Sequence, residues 1–549
     1  MAGPETGTEP AAETTGGDTG GDTGDRTGAQ VLLRTLVDAG VDVCFANPGT
    51  SEMHLVAALD AEPRMRAVLT LFEGVATGAA DGYARMADKP AATLLHLGPG
   101  LANGTANLHN ARRAGTPVVN VVGDHALDHK PLDAPLESDV DALAGTVSAR
   151  VHRSVATADL GRDTADAVAA ALGPPPAVST LLVPADVAWT SAAGLEPGVL
   201  APPVEPGRGA LDADALESAA KALRSGEPCI LLVGGTGLRE RGLVAAHRIA
   251  AATSARVLAE CFPTRLERGA GVPPITRLAY PGDVAREQLA GTAHLVLAGA
   301  ASPVTFFGYP GKRGDLVPEG AAVHRVAEIG AAGAIALEAL ADLVAAEVTD
   351  VPRAAAIPPA LPTGPLTVQS AAEVVGALLP EGAIVVDESV TSGASLPQAT
   401  AGSPRHDWLT LTGGAIGFGL PAATGAAVAC PDRPVWCLQA DGSAMYTISA
   451  LWTHARENLD ITTVLYDNGA YAILRGELLG VGASLPADSP ARSLLDLGAP
   501  RLDFVALATG MGVPAVRAET AEELAGALRR AAAEPGPHLV AAQVPPLVP

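Results

Sequence analysis

An apolar run, Arg433–Gln439 (RPVWCLQ), ends in Ala440-Asp441-Gly442-Ser443. A second run, ITTVLYDNG, ends in Asp467-Asn468-Gly469, so that Asn468 follows Asp441 by 27 residues. Strand, turn, helix and next strand together need about thirty residues, which makes this spacing one βαβ unit. Both strands then finish at the same edge of a parallel sheet, where α/β proteins bind ligands. Two side-chain oxygens placed there, from Asp441 and Asn468, suit a hard cation such as Mg²⁺. Gly442 and Ser443 open the connecting helix, with N–H groups directed at a diphosphate. Glu73, far upstream, lies where the run AVLTLF meets EGVATGAADGYARM. Taken alone, an acidic residue in the first turn of a helix is a partner of the helix dipole.

These groups depend on the elements around them. From Ser443 to Asn458 the apolar residues Met445, Ile448, Leu451, Trp452 and Ala455 recur at helical spacing and predict one helix. The flanks VWCL and ITTVLY are short, apolar and β-branched, as buried strands are. Residues 1–27 hold almost no large apolar side chain and read as a disordered tail. From 28 to 190 the runs VDVCFAN, AVLTLF, AATLLHL, TPVVNVVG and TLLVP alternate with helical stretches. A Pro- and Gly-rich linker follows at 191–209. Residues 210–350 repeat the pattern with PCILLVGG, ARVLAE, HLVLAGA and AVHRVAEI. A second linker spans 351–365, and a third block, 366–549, carries the Asp441–Asn468 motif. The expected fold class is α/β, with three doubly wound parallel-sheet domains.

A net charge of −24 argues against a nucleic-acid binder, which needs a basic stripe, and against docking on an anionic membrane. The five cysteines form no C-x-x-C pair, so buried free thiols are expected. No basic start followed by an apolar core marks a signal peptide, and no run of about eighteen apolar residues marks a membrane span. The expectation is a cytoplasmic protein.

The Asp441–Asn468 segment resembles the cofactor motif of thiamine diphosphate (ThDP) enzymes, written G-D-G, a gap, then N-N. This chain has Ala440 for the first glycine and Asp467 for the first asparagine. The resemblance implies that Asp441, Asn468 and the Ala470 carbonyl hold Mg²⁺. The segment E-G-x-A-x-x-A-A-D-G-Y-A-R resembles the helix whose glutamate, here Glu73, bonds the cofactor's pyrimidine ring and activates it. In the stretch Gly413–Pro421 (GGAIGFGLP), Ile416 looks like the aliphatic wedge that bends the cofactor, 25 residues before Asp441. Gly414 looks like the carbonyl that receives the cofactor's amino group. Thr391 and Ser392, in VVDESVTSG, resemble diphosphate contacts, and Tyr446, one turn into the connecting helix, is a further one. The order of the three blocks resembles that of pyruvate-oxidase-like ThDP enzymes, with pyrimidine-binding, middle and diphosphate-binding domains.

Two branches of that family share features with this chain. Benzoylformate decarboxylase has a histidine 23 residues after its active glutamate, and His96 in LLHLGPG stands at that spacing. The turn Asn47-Pro48-Gly49-Thr50-Ser51-Glu52 is similar to that enzyme's N-P-G-S-N-E, which adds Thr50 to the candidate catalytic residues. His96 then carries a proton to or from an enamine, a role suited to histidine. No counterpart of the enzyme's second histidine occurs in Val304–Pro310, and Ile473 replaces a small alanine. A smaller or linear 2-oxo acid is therefore expected as substrate rather than an aryl one. The alternative branch is acetolactate synthase, a carboligase, which shares Gly98-Pro99-Gly100 and the I-G-F-G-L-P-A-A stretch. An alternative of another class is a non-catalytic protein with the ThDP fold, against which Glu73 stands. The family also implies a homodimer or homotetramer, with the cofactor between the first block of one subunit and the third block of another.

Overall fold

The computed structural model describes residues 26–199, 211–330, 332–486 and 488–548. Residues 1–25 of the expected tail and 200–209 of the first linker lie outside the described residues. Thr27, expected in the tail, caps the helix Gly28–Asp38 by accepting from Gln30 N.

Three sheets form. The first holds β1 (Val43–Asn47), β2 (Arg66–Leu69), β3 (Ala91–His96), β4 (Val118–Asp124), β5 (Arg150–Arg153) and β6 (Val178–Pro184). Its order is β2-β1-β3-β4-β6-β5, with every pair parallel. The second holds β7 (Cys229–Val233), β8 (Arg256–Ala259), β10 (Thr276–Arg277), β11 (His294–Ala298) and β12 (Ala322–Ala327), in the order β10-β8-β7-β11-β12. The third contains β9 (Leu266–Arg268), β13 (Ile384–Glu388), β14 (His406–Thr410), β15 (Val435–Ala440), β16 (Ile461–Asp467), β17 (Ala515–Ala518) and β18 (His538–Gln543). Its order is β17-β18-β16-β15-β13-β14-β9. β9 comes from the middle block and joins this third sheet as its antiparallel edge.

Successive strand residues enter different cores, as the pleat requires. Phe45, Leu95 and Val122 pack on one face of the first sheet, while Cys44, Leu94 and Val121 pack on the other. Both faces being covered, the inner strands of this sheet are mainly apolar, whereas the edge strand β5 is not. One cluster is common to the first and third sheets, and another to the second and third. The helix Glu73–Ala87 of the first block crosses the helix Gly419–Ala429 of the third at backbone contact distance. A methyl group on Gly425 would lie 1.8 Å from the Ala79 carbonyl oxygen, and one on Gly82 would lie 2.1 Å from that of Ala422. Arg85 locks the crossing. It pairs with Asp81, both side chains fully buried, and donates to the Thr410 and Thr264 carbonyls and the Thr412 hydroxyl. One guanidinium thereby ties all three blocks together.

Candidate active site

The order of the third sheet reverses between β13 and β15, because β13 is followed by β14 on one side and by β15 on the other. Ligands of open α/β sheets bind at the carboxyl ends flanking such a reversal. Ser392, Asp441 and Asn468 follow the carboxyl ends of β13, β15 and β16, three neighbours in the sheet. They are joined directly. Asp441 Oδ2 accepts from the backbone N–H of Asn468 at 3.1 Å and of Gly469 at 2.7 Å. The Asn468 side-chain amide donates to the Ser392 hydroxyl at 3.1 Å. Gly469 takes φ +65°, in the left-handed region, and so turns the chain tightly from Asn468 to Ala470. Burial, opposed by these N–H groups, pushes the Asp441 carboxyl up to about 6. Among the described residues no cationic side chain pairs with it. A buried carboxylate, a side-chain amide oxygen and the nearby Ala470 carbonyl form a hard donor set that fits a divalent cation. Among the described residues no cluster of three His, Cys, Asp or Glu offers another.

The two departures from the motif have simple causes. Ala440 ends β15 at φ −80° and ψ 150°, an ordinary extended conformation that needs no glycine. Asp467 is buried and pairs with Arg501 at 3.2 Å.

The connecting segment differs from expectation. The predicted single helix over Ser443–Asn458 is two pieces, Asp441–Ala444 and Ala450–Arg456. Between them the backbone bonds run from i to i+3, as in Tyr446 N to Ser443 O and Thr447 N to Ala444 O. The Thr447 hydroxyl donates to the Gly417 carbonyl at 3.1 Å and draws this turn toward the 413–418 loop. Tyr446 therefore lies in the turn, more than half exposed, and not one turn into a helix. The Gly442 N–H donates to Asp441 Oδ1 at 2.8 Å. The Ser443 hydroxyl donates back to the Ala440 carbonyl and accepts from Gln439. The Gly442 N–H is thus engaged by its own turn, and the Ser443 hydroxyl is tied to the end of β15. Thr391 stands half-buried beside Ser392 in a 3₁₀ turn, Val390–Gly393.

The first sheet reverses between β1 and β3, and His96 and the Asn47–Glu52 turn meet there. His96 Nδ1 lies 2.7 Å from Glu52 Oε2 and 3.2 Å from the Ser51 hydroxyl. Thr50 opens the same turn but is exposed, and Ser51 takes the contact with His96 instead. Glu73 begins its helix, is buried, and accepts from the Asn103 side-chain amide at 3.0 Å. Gly100 lies between the two candidates. A methyl group on it would stand 3.1 Å from Glu73 Oε1 and 3.2 Å from His96 Cβ. Glu73 and His96 thus share one wall.

The 413–418 loop is held from both sides. Asn110 bonds both polar backbone atoms of Ala415, at 2.8 and 3.2 Å, His109 meets the Gly413 carbonyl, and Asn107 donates to that of Gly417. Glu388 accepts from the N–H groups of Gly417, Phe418 and Gly419. Burial raises the Glu388 carboxyl pKa. Ile416 is half-buried, and Gly414 takes φ +76° beneath the ring of Phe306. Sequence reasoning missed Glu52, Asn103, Asn107, Asn110 and Glu388. Only the asparagines leave a trace, since 103, 107 and 110 recur at helical spacing on one face.

The description "Thiamine pyrophosphate enzyme, N-terminal TPP binding domain" matches residues 26–144, and its C-terminal counterpart matches residues 393–542. The protein named "Putative acetolactate synthase large subunit IlvX" from Mycobacterium tuberculosis is 63% identical, over 95% of this chain and 99% of its own length. A benzoylformate decarboxylase from Pseudomonas aeruginosa is 32% identical, over 91% of this chain and 96% of its own. Among solved structures, a ThDP-dependent 4-hydroxybenzoylformate decarboxylase from Rhodococcus jostii superposes with a TM-score of 0.80. It is 26% identical and covers 95% of this chain and 99% of its own. With both halves of the site on one fold and relatives aligned along nearly the whole length, the chain belongs to the thiamine-diphosphate-dependent enzymes.

Proposed function

We propose that this enzyme decarboxylates a 2-oxo acid with ThDP and Mg²⁺. The observation that carries the reading is Gly100 set between the Glu73 carboxyl group and the base of the His96 side chain, which brings the two candidate residues to one place in the fold. Asp441, Asn468 and the Ala470 carbonyl would hold Mg²⁺, and through it the diphosphate. Glu73, buried at the start of its helix, would hold a proton against the cofactor's pyrimidine ring. Ile416 and Gly414 would shape its seat on a loop anchored by Asn107, Asn110 and Glu388. When bound, ThDP supplies the sink for the electrons left as carboxylate departs as CO₂. His96, fixed through Nδ1 by Glu52, is left with Nε2 to deliver or remove the product proton.

A carboligase is the second reading, favoured by the 63% relative named as an acetolactate synthase large subunit. The test is a screen of 2-oxo acids with and without acceptor carbonyls, following CO₂ and product mass together. An aldehyde product supports decarboxylation alone, a condensed product supports the carboligase, and no CO₂ from any acid contradicts both. We also place the cofactor between the first block of one subunit and the third of another, in a dimer or tetramer. A monomeric active species in analytical ultracentrifugation would overturn this. Five free thiols fit a reducing cytoplasm, and no described helix is long and apolar enough to cross a membrane.

A further inference from the structure

The helix after the Asp441–Asn468 loop, Ala472–Gly480, carries Ile473 and, one turn on, Glu477. Glu477 leans on the middle block, where the Tyr309 hydroxyl donates to its Oε2. Burial, and then the Glu477 charge, push the neighbouring Tyr280 hydroxyl up to about 12. Tyr280 packs on Phe306 with ring centroids 5.5 Å apart, and Phe306 packs on Phe307 at 5.5 Å. These two phenylalanines are 43% and 55% exposed. Large apolar rings left open on a surface mark a binding place more often than chance. Their position is specific, because Phe306 covers Gly414, with 2.7 Å between its ring and a methyl group placed there. The rings thus stand over the loop assigned to the cofactor. Glu477 has no ion pair among the described residues.

We propose that Glu477, framed by the Tyr280 and Tyr309 hydroxyls and the exposed faces of Phe306 and Phe307, receives the far end of the substrate, and that this end is a cation such as a guanidinium. The inference rests on the 2-oxo acid reading and names the substrate class for it. A carboxylate gives a guanidinium two charge-assisted hydrogen bonds. Aromatic faces attract a cation through their quadrupole. The chain's net charge of −24 draws a cationic ligand inward over a longer range. An anionic end would meet a carboxylate that has no cationic partner among the described residues, and a purely apolar end would bury its charge uncompensated.

The test compares 5-guanidino-2-oxopentanoate, neutral 2-oxooctanoate and anionic 2-oxoadipate on the enzyme loaded with ThDP and Mg²⁺. The guanidino acid should exceed the neutral one in kcat/KM by about tenfold or more, with the dianion poorest. Glu477→Gln should cut the ratio of cationic to neutral kcat/KM by about tenfold or more, chiefly through KM. Tyr309→Phe should reduce it in the same direction, but less. A preference for the neutral or anionic acid, or a ratio unmoved by Glu477→Gln, would overturn the proposal. Calorimetry with 5-guanidinopentanoate and octanoate, which lack the keto group, separates the two levels. Preferential binding of the guanidino acid without CO₂ from any keto acid would sink the decarboxylase reading and keep the subsite. CO₂ release without that binding preference would do the reverse.

Discussion

His96 is useful only if its ring is held in one tautomer. A carboxyl oxygen of Glu52 at 2.7 Å from Nδ1 favours the tautomer with its proton there and leaves Nε2 as the exchanging nitrogen. His96→Ala should therefore lower kcat by about 10²–10⁴-fold, the usual worth of a positioned acid–base group. Exchange of the cofactor's ring proton, followed by NMR, should stay near the wild-type rate. A change confined to KM would remove the proton-transfer role. Asp441 acts differently, as a buried charge awaiting a cation. Asp441→Ala should abolish the gain in ThDP affinity that Mg²⁺ gives the wild type. Equal calorimetric affinity of the variant with Mg²⁺ and with a chelator is the expected outcome, and a retained Mg²⁺ effect the contrary one. These residues could be found from sequence because each ends an apolar run, where a polar side chain has no packing reason to be. Glu52 and Glu388 could not, since the His96 ring and the Gly417–Gly419 N–H groups that they bond are brought to them only by chain closure.

At the scale of elements, the crossing of the Glu73–Ala87 and Gly419–Ala429 helices sets how closely the first and third blocks approach. Gly425→Ala drives a methyl group into the Ala79 carbonyl oxygen. It should cost roughly 1–3 kcal/mol, as overpacking does, read from the shift in urea midpoint. An unchanged midpoint would mean that the crossing is loose. In the middle sheet, Glu260 follows β8, and burial raises its carboxyl pKa from 4.5 to about 7. Its neutral form stabilises the fold fully below the unfolded value, and that contribution is lost as pH rises through about 7. Wild-type stability should therefore fall from about pH 5 to about pH 8 relative to Glu260→Gln, and parallel pH profiles would contradict this. Strand runs such as CILLV and ITTVLYD were readable because both sheet faces are buried. β5, with the sequence RVHR, and β9, LER, were not, because edge strands carry charges and lose the apolar signal. The segment after Asp441 kept helical periodicity and still broke, since the hydrogen bond from Thr447 to Gly417 outweighs local spacing.

Across the whole molecule, the three blocks share cores rather than merely touching. Buried clusters run from the first sheet to the third and from the second to the third, and Arg85 bonds into all three blocks. The block order was readable from the alternation of runs, whereas the transfer of β9 to the third sheet was not, because nothing local to Leu266–Arg268 names its partner. Such a frame holds Glu73 and Asp441 on fixed walls, so that loss of one carboxyl group need not disturb the other. The most direct measurement is CO₂ release from the best 2-oxo acid by wild type and Glu73→Gln, both loaded with ThDP and Mg²⁺. Wild type should turn over and the variant should fall by about 10²-fold or more, with cofactor binding still measurable. Equal rates would contradict the account.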